Sequence, residues 1–214
     1  MTKRDKLIFV YGAGGHGKVV ADALLAARVP VRGFIDDDHS KTGEVLRLKV
    51  FGGGHWLVEE SKQREVAAAL GIGNNGSRRN VAEACLAAGI RLITVVHPSA
   101  VVAPSARIGQ GTVVMAGSLI NSDSQIGMGV IVNTGAIIEH DCRVEDFAHL
   151  SPGCILGGGA RIGSLCWLGM GSLVIHGVAV GSNTTVGAGA VVTKDAEPGV
   201  TVVGVPAKPL VKKA

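Results

Sequence analysis

Aliphatic residues recur with a period of six along the second half of the chain. From Val102 to Val192, every sixth residue is Leu, Ile or Val, sixteen times without a gap. Four residues after each of them stands Ala, Ser, Thr, Cys or Val. An α-helix repeats every 3.6 residues and a single strand every two, so neither explains this period. A fixed repeat of this length predicts a solenoid, in which each coil stacks on the coil before it.

Each six-residue unit has room for one short strand and one tight corner. Three units close a triangular coil, so the sixteen units predict roughly five coils. The aliphatic residue points inward, and the small residue fits where the interior narrows. So narrow a prism has no room for rings, which agrees with an aromatic content of only 3% and with the 32 glycines. Coils of this kind resemble the left-handed parallel β-helix of hexapeptide-repeat proteins, an exception to right-handed crossovers.

The first hundred residues alternate between apolar strand patterns and helical patterns. This alternation predicts an α/β domain with a small, Rossmann-like parallel sheet. The hexads begin just after His97, so we expect a Rossmann-like domain over residues 1–97 and a β-helix over residues 98–214. Strands are predicted at residues 7–11, 31–35, near 50, 66–72 and 91–96, and helices at 18–28, from about 55, and at 77–88.

A glycine-rich loop follows the first predicted strand. Gly12, Gly14 and Gly17 form the pattern G-x-G-x-x-G, and Asp36 closes the next strand. This is the dinucleotide fingerprint, in which glycines let backbone amides and a helix N-terminus approach a diphosphate. A domain this short lacks the second half of a dehydrogenase, so we expect a diphosphate ligand, with a purely structural turn as the alternative. Asp36 or Asp37 would then accept hydrogen bonds from a ribose or base.

The cysteines and the charge exclude several other functions. Cys142, Cys154 and Cys166 stand at inward positions of their hexads and Cys85 in a predicted helix, so we expect buried thiols and no metal site. Reduced cysteines, with no leader before the first strand, favour the cytoplasm. The net charge of +4 is scattered, which argues against nucleic-acid binding. No apolar run reaches 18 residues, so we expect no membrane span.

Six short motifs, in order along the chain, resemble one known family. They are Y-G-A-G-G-H-G, F-I-D-D, G-I-G-N-N, N-T-G-A-I-I-E-H-D-C, F-A-H-L-S-P-G and V-G-V-P-A-K, at residues 11–17, 34–37, 71–75, 133–142, 147–153 and 203–208. The chain resembles the bacterial nucleotide-sugar acetyltransferases of the bacillosamine and perosamine N-acetyltransferase and sialic acid O-acetyltransferase type. The resemblance implies a nucleotide-linked amino sugar on the first domain, and a homotrimeric β-helix that binds acetyl-CoA between subunits.

The resemblance also implies roles for individual residues. His140 matches the proposed general base, Asp141 its acidic neighbour, and His149 the histidine that hydrogen-bonds the thioester carbonyl of acetyl-CoA. Lys208 meets a CoA phosphate or is a solvated tail lysine, and the outward Trp167 packs at the trimer seam or on CoA. The expected acetyl-CoA contacts are His149, Gly158, Met170, Ala188 and Lys208. The expected substrate contacts are Gly14, Gly15, His16, Asp36, Asp37 and Gly73.

The spacing of the two histidines is an independent argument for an oligomer. His140 and His149 lie nine residues apart, which is half of an eighteen-residue coil. They should therefore project from roughly opposite sides of one prism. If both serve one site, two subunits must contribute to it.

The resemblance, together with these residues, implies an acetyl-CoA-dependent N-acetyltransferase that acts on a UDP- or GDP-linked 4-amino-6-deoxy sugar by direct transfer. The alternatives are O-acetylation of a sugar such as sialic acid, a non-catalytic nucleotide-sugar-binding trimer, and, more remotely, an NAD-dependent dehydrogenase. The choice between N and O transfer rests on the resemblance and not on any residue.

Overall fold

The structure is a computed structural model, and it describes residues 7–210. Its first part is a four-stranded parallel sheet in the order β2-β1-β5-β6, flanked by three helices and a short hairpin of β3 and β4. The elements are β1 (Leu7–Tyr11), α1 (Gly15–Ala26), β2 (Gly33–Ile35), β3 (Glu44–Val45), β4 (Leu48–Lys49), α2 (Gly54–Gln63), β5 (Val66–Leu70), α3 (Asn75–Ala87) and β6 (Arg91–Leu92).

The central strands β1 and β5 are almost continuously apolar because helices cover both faces of the sheet. Val10 and Ala69 pack toward α1, while Phe9 and Leu70 pack toward the other side of the sheet. The prediction of a small parallel α/β sheet is therefore confirmed. The helices α1, α2 and α3 begin at residues 15, 54 and 75, where the sequence predicted 18, about 55 and 77.

The second part is a parallel solenoid with three flat faces, which we call the first, second and third face. The first face contains β7 (Val95–Val96), β10 (Val113–Val114), β13 (Ile131–Val132), β16 (His149–Leu150), β19 (Trp167–Leu168), β22 (Thr185–Val186), β24 (Thr201–Val203) and β25 (Lys208–Pro209). The second contains β8 (Val101–Val102), β11 (Leu119–Ile120), β14 (Ile137–Ile138), β17 (Ile155–Leu156), β20 (Leu173–Val174) and β23 (Val191–Val192). The third contains β9 (Arg107–Ile108), β12 (Gln125–Ile126), β15 (Arg143–Val144), β18 (Arg161–Ile162) and β21 (Ala179–Val180).

These strands make five complete coils and part of a sixth, in agreement with the repeat count. From β8 to β23, the second residue of each strand points inward, and the small residue of each hexad fills the corner. Corner residues such as Asp123, Asp141 and Asn183 adopt positive φ angles, which Asn and Asp tolerate better than most side chains. Cys142, Cys154 and Cys166 are buried at three different corners, so the prediction of separate buried thiols is confirmed.

The outward residues differ sharply among the three faces. On the first face, Val95, Val113 and Ile131 are buried under α1 and β1. The third face carries exposed polar side chains, including Arg143 and Arg161. The second face presents an aliphatic ladder that remains partly or largely exposed; we define it as the residues Val101, Leu119, Ile137, Ile155, Leu173 and Val191.

One predicted strand is divided between the two parts. Residues 91–96 form two short strands and not one, because Leu92 pairs with Ala68 in the sheet whereas Val95 pairs with Val113 in the solenoid. The chain must change direction between two differently oriented sheets, and Thr94 at this bend donates to the Gly109 carbonyl. The division into domains at residues 97 and 98 stays a prediction.

Within residues 7–210, no helix has both the length and the apolar character that crossing a bilayer would require.

Candidate functional site

The glycine-rich loop lies where β1 and β5 end, at one edge of the sheet. Gly12 has φ +110°, and Gly12, Gly17 and Gly71 pack backbone against backbone. This contact brings the loops after the two strands together. The resulting pocket is lined by all six expected substrate contacts, together with Tyr11, Gly12, Lys41, Gly71 and Ile72. The N-terminus of α1, at Gly15, opens into it.

Two glycines of this loop should respond differently to an added methyl group. A Cβ at Gly17 would overlap the Gly12 carbonyl oxygen, whereas a Cβ at Gly15 would meet nothing within 4 Å. We expect Gly17→Ala to lower the free energy of unfolding by about 1–3 kcal/mol, as overpacking does. Gly15→Ala should leave the thermal midpoint unchanged, because the methyl group meets no neighbour. It should raise KM for the nucleotide sugar, because the methyl group would stand at the N-terminus of α1, where we expect the diphosphate to bind. Thermal unfolding and steady-state kinetics check both, and equal midpoints for the two variants would contradict the prediction.

The two aspartates at the end of β2 are held by protein donors. Asp36 accepts from the Ala13 amide at 2.7 Å and from Lys41 at 2.9 Å, and these contacts outweigh burial and lower its pKa. Asp37 accepts from the Tyr11 hydroxyl at 2.7 Å and from the Gly54 amide at the start of α2. A carboxylate has about four acceptor positions, so each can still receive a ligand hydroxyl.

His16 and His149 come from different parts of the chain and meet where these parts join. The centres of their rings are 6.3 Å apart. Burial lowers the pKa of each ring to about 4, and the charge of Arg78 contributes to both shifts. Both imidazoles are therefore neutral at pH 7. Nε2 of His16 is buried without a hydrogen-bond partner among the described residues.

The tautomer of His149 follows from its neighbours. Oδ1 of Asn133 accepts from the Thr134 amide at 2.9 Å, so its Nδ2 group faces Nε2 of His149, at 3.1 Å. Nε2 is thus the acceptor, and the proton belongs on Nδ1. The backbone of Gly73 acts to raise the pKa of the ring, which favours a ring N–H on the side of that residue. To donate to an acyl oxygen from Nε2, His149 would have to adopt the other tautomer.

His140 projects from the corner between the second and third faces. Its side chain is 64% exposed, and its Nδ1 lies 2.8 Å from Oδ2 of Asp141, a hydrogen bond that raises the pKa of His140. Gly158 lies one coil further on, where a Cβ would come within 2.7 Å of Nε2 of His140. The imidazole occupies space that only a glycine at position 158 leaves open.

The other expected acetyl-CoA contacts lie at separate places on the solenoid. Met170 and Ala188 are stacked at the corner between the first and second faces, and Met170 is 63% exposed. Lys208 is exposed near the end of the first face. A cleft beside His149 is lined by residues 73–76 and by Trp167, whose indole N–H donates to Ser151. His140 does not line the glycine-loop pocket; it lies at the corner between the second and third faces, opposite the first face on which the glycine-loop domain packs.

Three residues of this region escaped the sequence-based predictions. Lys41 lines the glycine-loop pocket, and nothing in its sequence context marks it. Asn75 is the last residue of the G-I-G-N-N motif, Arg78 follows it in the first turn of α3, and both reach the solenoid. The motif that ends the strand was the available signal, but it assigned no role to either residue. No group of three His, Cys, Asp or Glu residues among the described ones is arranged to hold a metal ion.

Two family models match this chain. The model described as PglD N-terminal domain matches residues 7–85, and the model described as bacterial transferase hexapeptide (six repeats) matches residues 159–194. The second match identifies the solenoid as a left-handed β-helix of hexapeptide repeats.

Solved structures of similar proteins cover nearly the whole chain. A perosamine N-acetyltransferase variant from Caulobacter crescentus, in complex with CoA and GDP-perosamine, is 40% identical with a TM-score of 0.93, over 96% of this chain and 97% of that one. The acetyltransferase domain of PglB from Neisseria gonorrhoeae, in complex with acetyl coenzyme A, is 41% identical with a TM-score of 0.90, over 97% and 100%.

A curated relative matches over a shorter stretch. The UDP-N-acetylbacillosamine N-acetyltransferase of Bacillus subtilis is 37% identical over 117 residues, which are 50% of this chain and 50% of the relative. The aligned segment thus spans about half the length of that protein.

Proposed function

Because the chain belongs to the family of nucleotide-sugar N-acetyltransferases that includes the perosamine enzyme, we propose that it acetylates the amino group of a UDP- or GDP-linked 4-amino-6-deoxy sugar, with acetyl-CoA as the donor. The observation that carries this proposal is the His140–Asp141 pair beside Gly158, an exposed histidine with a free ring nitrogen on a hexapeptide solenoid. The glycine-loop pocket of the same chain supplies the features of a diphosphate site.

In this proposal His140 is the general base. Asp141 accepts the hydrogen bond from Nδ1–H, which keeps the proton on that nitrogen and leaves Nε2 free to accept. The amine nitrogen attacks the thioester carbon and loses a proton to Nε2. The carbon–sulfur bond then breaks, and the proton passes to the leaving sulfur, so the products are the amide and CoA. The transfer is direct, because the thiols of Cys142, Cys154 and Cys166 are buried.

We further propose that the protein is a homotrimer whose second faces meet. The aliphatic ladder is the exposed apolar surface that such a contact would bury. Packing through this face would put the corner that carries His140 beside the first face of a neighbouring subunit, where His149 and Trp167 line a cleft. The spacing of the two histidines around the coil supports the same arrangement.

The remaining proposed contacts fit a ligand lying in the seam between subunits. Gly158, Met170 and Ala188 lie at corners that flank the second face, and His149 lies on the first face. These four residues are proposed to bind the acetyl-CoA arm, with Lys208 near a phosphate. Gly14, Gly15, His16, Asp36, Asp37 and Gly73 are proposed to bind the nucleotide sugar. Four free, buried cysteines are consistent with a cytoplasmic enzyme.

A coupled assay of CoA release tests this function. The enzyme is incubated with acetyl-CoA and a panel of UDP- and GDP-linked 4-amino-6-deoxy sugars, and product masses are recorded. Turnover of one member, with a mass increase on the amine, is expected and also identifies the nucleotide. If acetyl-CoA binds but no member is turned over, O-acetylation of a free sugar takes the place of this proposal. If acetyl-CoA does not bind, the protein is a non-catalytic binding trimer.

A further inference from the structure

A fully buried arginine joins the glycine-loop domain to the solenoid. The Arg78 side chain extends from α3 and has no exposed surface. Among the described residues, no carboxylate lies within ion-pair distance of it. Its guanidinium is instead surrounded by oxygen acceptors, a costly arrangement for a charge unless all its donors are satisfied.

Every N–H group of this guanidinium has an acceptor. Nε donates to the Gly129 carbonyl at 2.7 Å, and Nη2 donates to the Phe147 carbonyl at 2.7 Å. Nη1 donates to the carbonyls of Ile72 and Gly73 at 3.1 and 3.0 Å. Nη2 also donates to Oδ1 of Asn75 at 3.0 Å and to the Ala148 carbonyl at 3.3 Å. Five rigid donors thus connect the loop after β5 to two successive coils.

Gly73 links this arginine to the surroundings of His149. Its carbonyl accepts from Arg78 at 3.0 Å, and its backbone faces the His149 ring closely enough to act on the pKa of that ring. Gly73 also lines both the glycine-loop pocket and the cleft beside His149. We propose that Arg78 is a positioning residue, which holds the substrate loop at Gly73 against His149 and so aligns the nucleotide-sugar site with the acetyl-CoA site.

The charge of Arg78 adds a second effect at the same place. Two ionisable side chains face His149, Arg78 from α3 and His16 from α1. Its other neighbours, Asn133 and Trp167, carry no charge. Burial lowers the pKa of Arg78 to about 9, so it remains a cation at neutral pH. The fixed positive charge of Arg78 disfavours protonation of His149. The ring therefore stays neutral, and its Nε2 can accept the hydrogen bond from Asn133.

Three variants separate these two effects. Arg78→Lys keeps the charge, but its three donors sit on a single nitrogen, which cannot reach acceptors placed around Nε, Nη1 and Nη2 of the guanidinium. Arg78→Met removes charge and donors together. Asn75→Ala keeps the charge of Arg78 but removes one of its acceptors, Oδ1, together with a neighbouring bridge in which the Asn75 amide donates to the Leu165 and Cys166 carbonyls. All three are compared by thermal midpoint and by mass in solution, so that only folded protein is assayed.

We expect Arg78→Lys to raise KM for the nucleotide sugar roughly tenfold, as the loss of charge-assisted hydrogen bonds would. Its His149 should still titrate near pH 4 by NMR. In Arg78→Met the pKa of His149 should rise but stay below 6.5, since burial remains its main cause. Asn75→Ala should leave this titration unchanged. A His149→Gln variant assigns the resonance.

The inference rests on the proposed function, but its failure is distinguishable from the failure of that function. A wild-type enzyme that turns over the sugar, with an Arg78→Lys variant of unchanged KM, overturns the positioning role alone. A His149 titration that is the same in Arg78→Met overturns the electrostatic role. If Arg78→Met does not fold, the KM of Arg78→Lys still decides the positioning role. A wild type without turnover contradicts the proposed function and leaves the NMR test in force.

Discussion

His140→Ala is expected to lower kcat by about 10²–10⁴-fold while acetyl-CoA and the nucleotide sugar still bind. The attacking amine must give up a proton, and the free Nε2 of His140 is the acceptor proposed for it. The side chain is exposed and packs on Gly158, so its loss should leave the fold intact. Steady-state kinetics with both substrates, together with a thermal midpoint, measure the effect.

The solenoid contains a matched control for this substitution. His176 occupies the same corner two coils further on, without the acidic neighbour that His140 has. His176→Ala should keep kcat near the wild-type value. Equal losses in the two variants would show that a corner histidine serves stability or solubility, and that the base lies elsewhere.

The pH profile gives a second readout of the same base. The hydrogen bond to Asp141 raises the pKa of His140 above its ordinary value of 6.5. A base must be unprotonated, so kcat should rise with pH through this raised pKa and level off above it. In Asp141→Asn the acid limb should shift to lower pH, and an unchanged limb would exclude His140 as its source.

Ile155→Glu is expected to abolish both assembly and activity. Ile155 lies in the middle of the aliphatic ladder, and three copies of the glutamate would meet near the symmetry axis without a cationic partner. The mass in solution should fall from about three times the chain mass to the 21.8 kDa of one chain. Activity should fall with it, because His140 and His149 then no longer share a site. Light scattering and the CoA-release assay measure the two quantities.

Ala179→Glu is the control on the third face. Ala179 also points outward from the solenoid, and its strand neighbour is Arg161, which tolerates a new negative charge. This variant should remain assembled and active. If Ile155→Glu also keeps the wild-type mass and rate, the second face is not the subunit contact and the proposed trimer is wrong.

The solenoid was predictable because its signal is periodic and repeated sixteen times. A slip of one residue would move every inward aliphatic side chain outward, so the pattern has one register. The glycine loop was predictable for a related reason, since close backbone contacts such as those of Gly12, Gly17 and Gly71 exclude other residues. Both signals are local, and each is complete within one segment of the chain.

Arg78 was not predictable because its role depends on distant partners. In sequence it is one of two adjacent arginines on a helix, and the usual expectation for such residues is a solvated surface. Its acceptors Gly129 and Phe147 are 51 and 69 residues away. The tautomer of His149 likewise depends on Asn133 in the preceding coil. The division of the strand near Thr94 reflects the relative orientation of two sheets, which no local pattern encodes.

The docking of α3 onto the corner carbonyls of Gly129, Phe147 and Leu165 has a consequence for how this fold can change length. These carbonyls lie at the same corner of three successive coils, one coil being about 4.8 Å deep. Insertion or loss of whole eighteen-residue coils after residue 165 would shift only the strands that follow, up to β24 and β25. The same change between residues 129 and 165 would shift one docking point past the others. The number of coils is therefore fixed as far as residue 165 and free to vary after it. Length variation among relatives should be confined to the C-terminal coils.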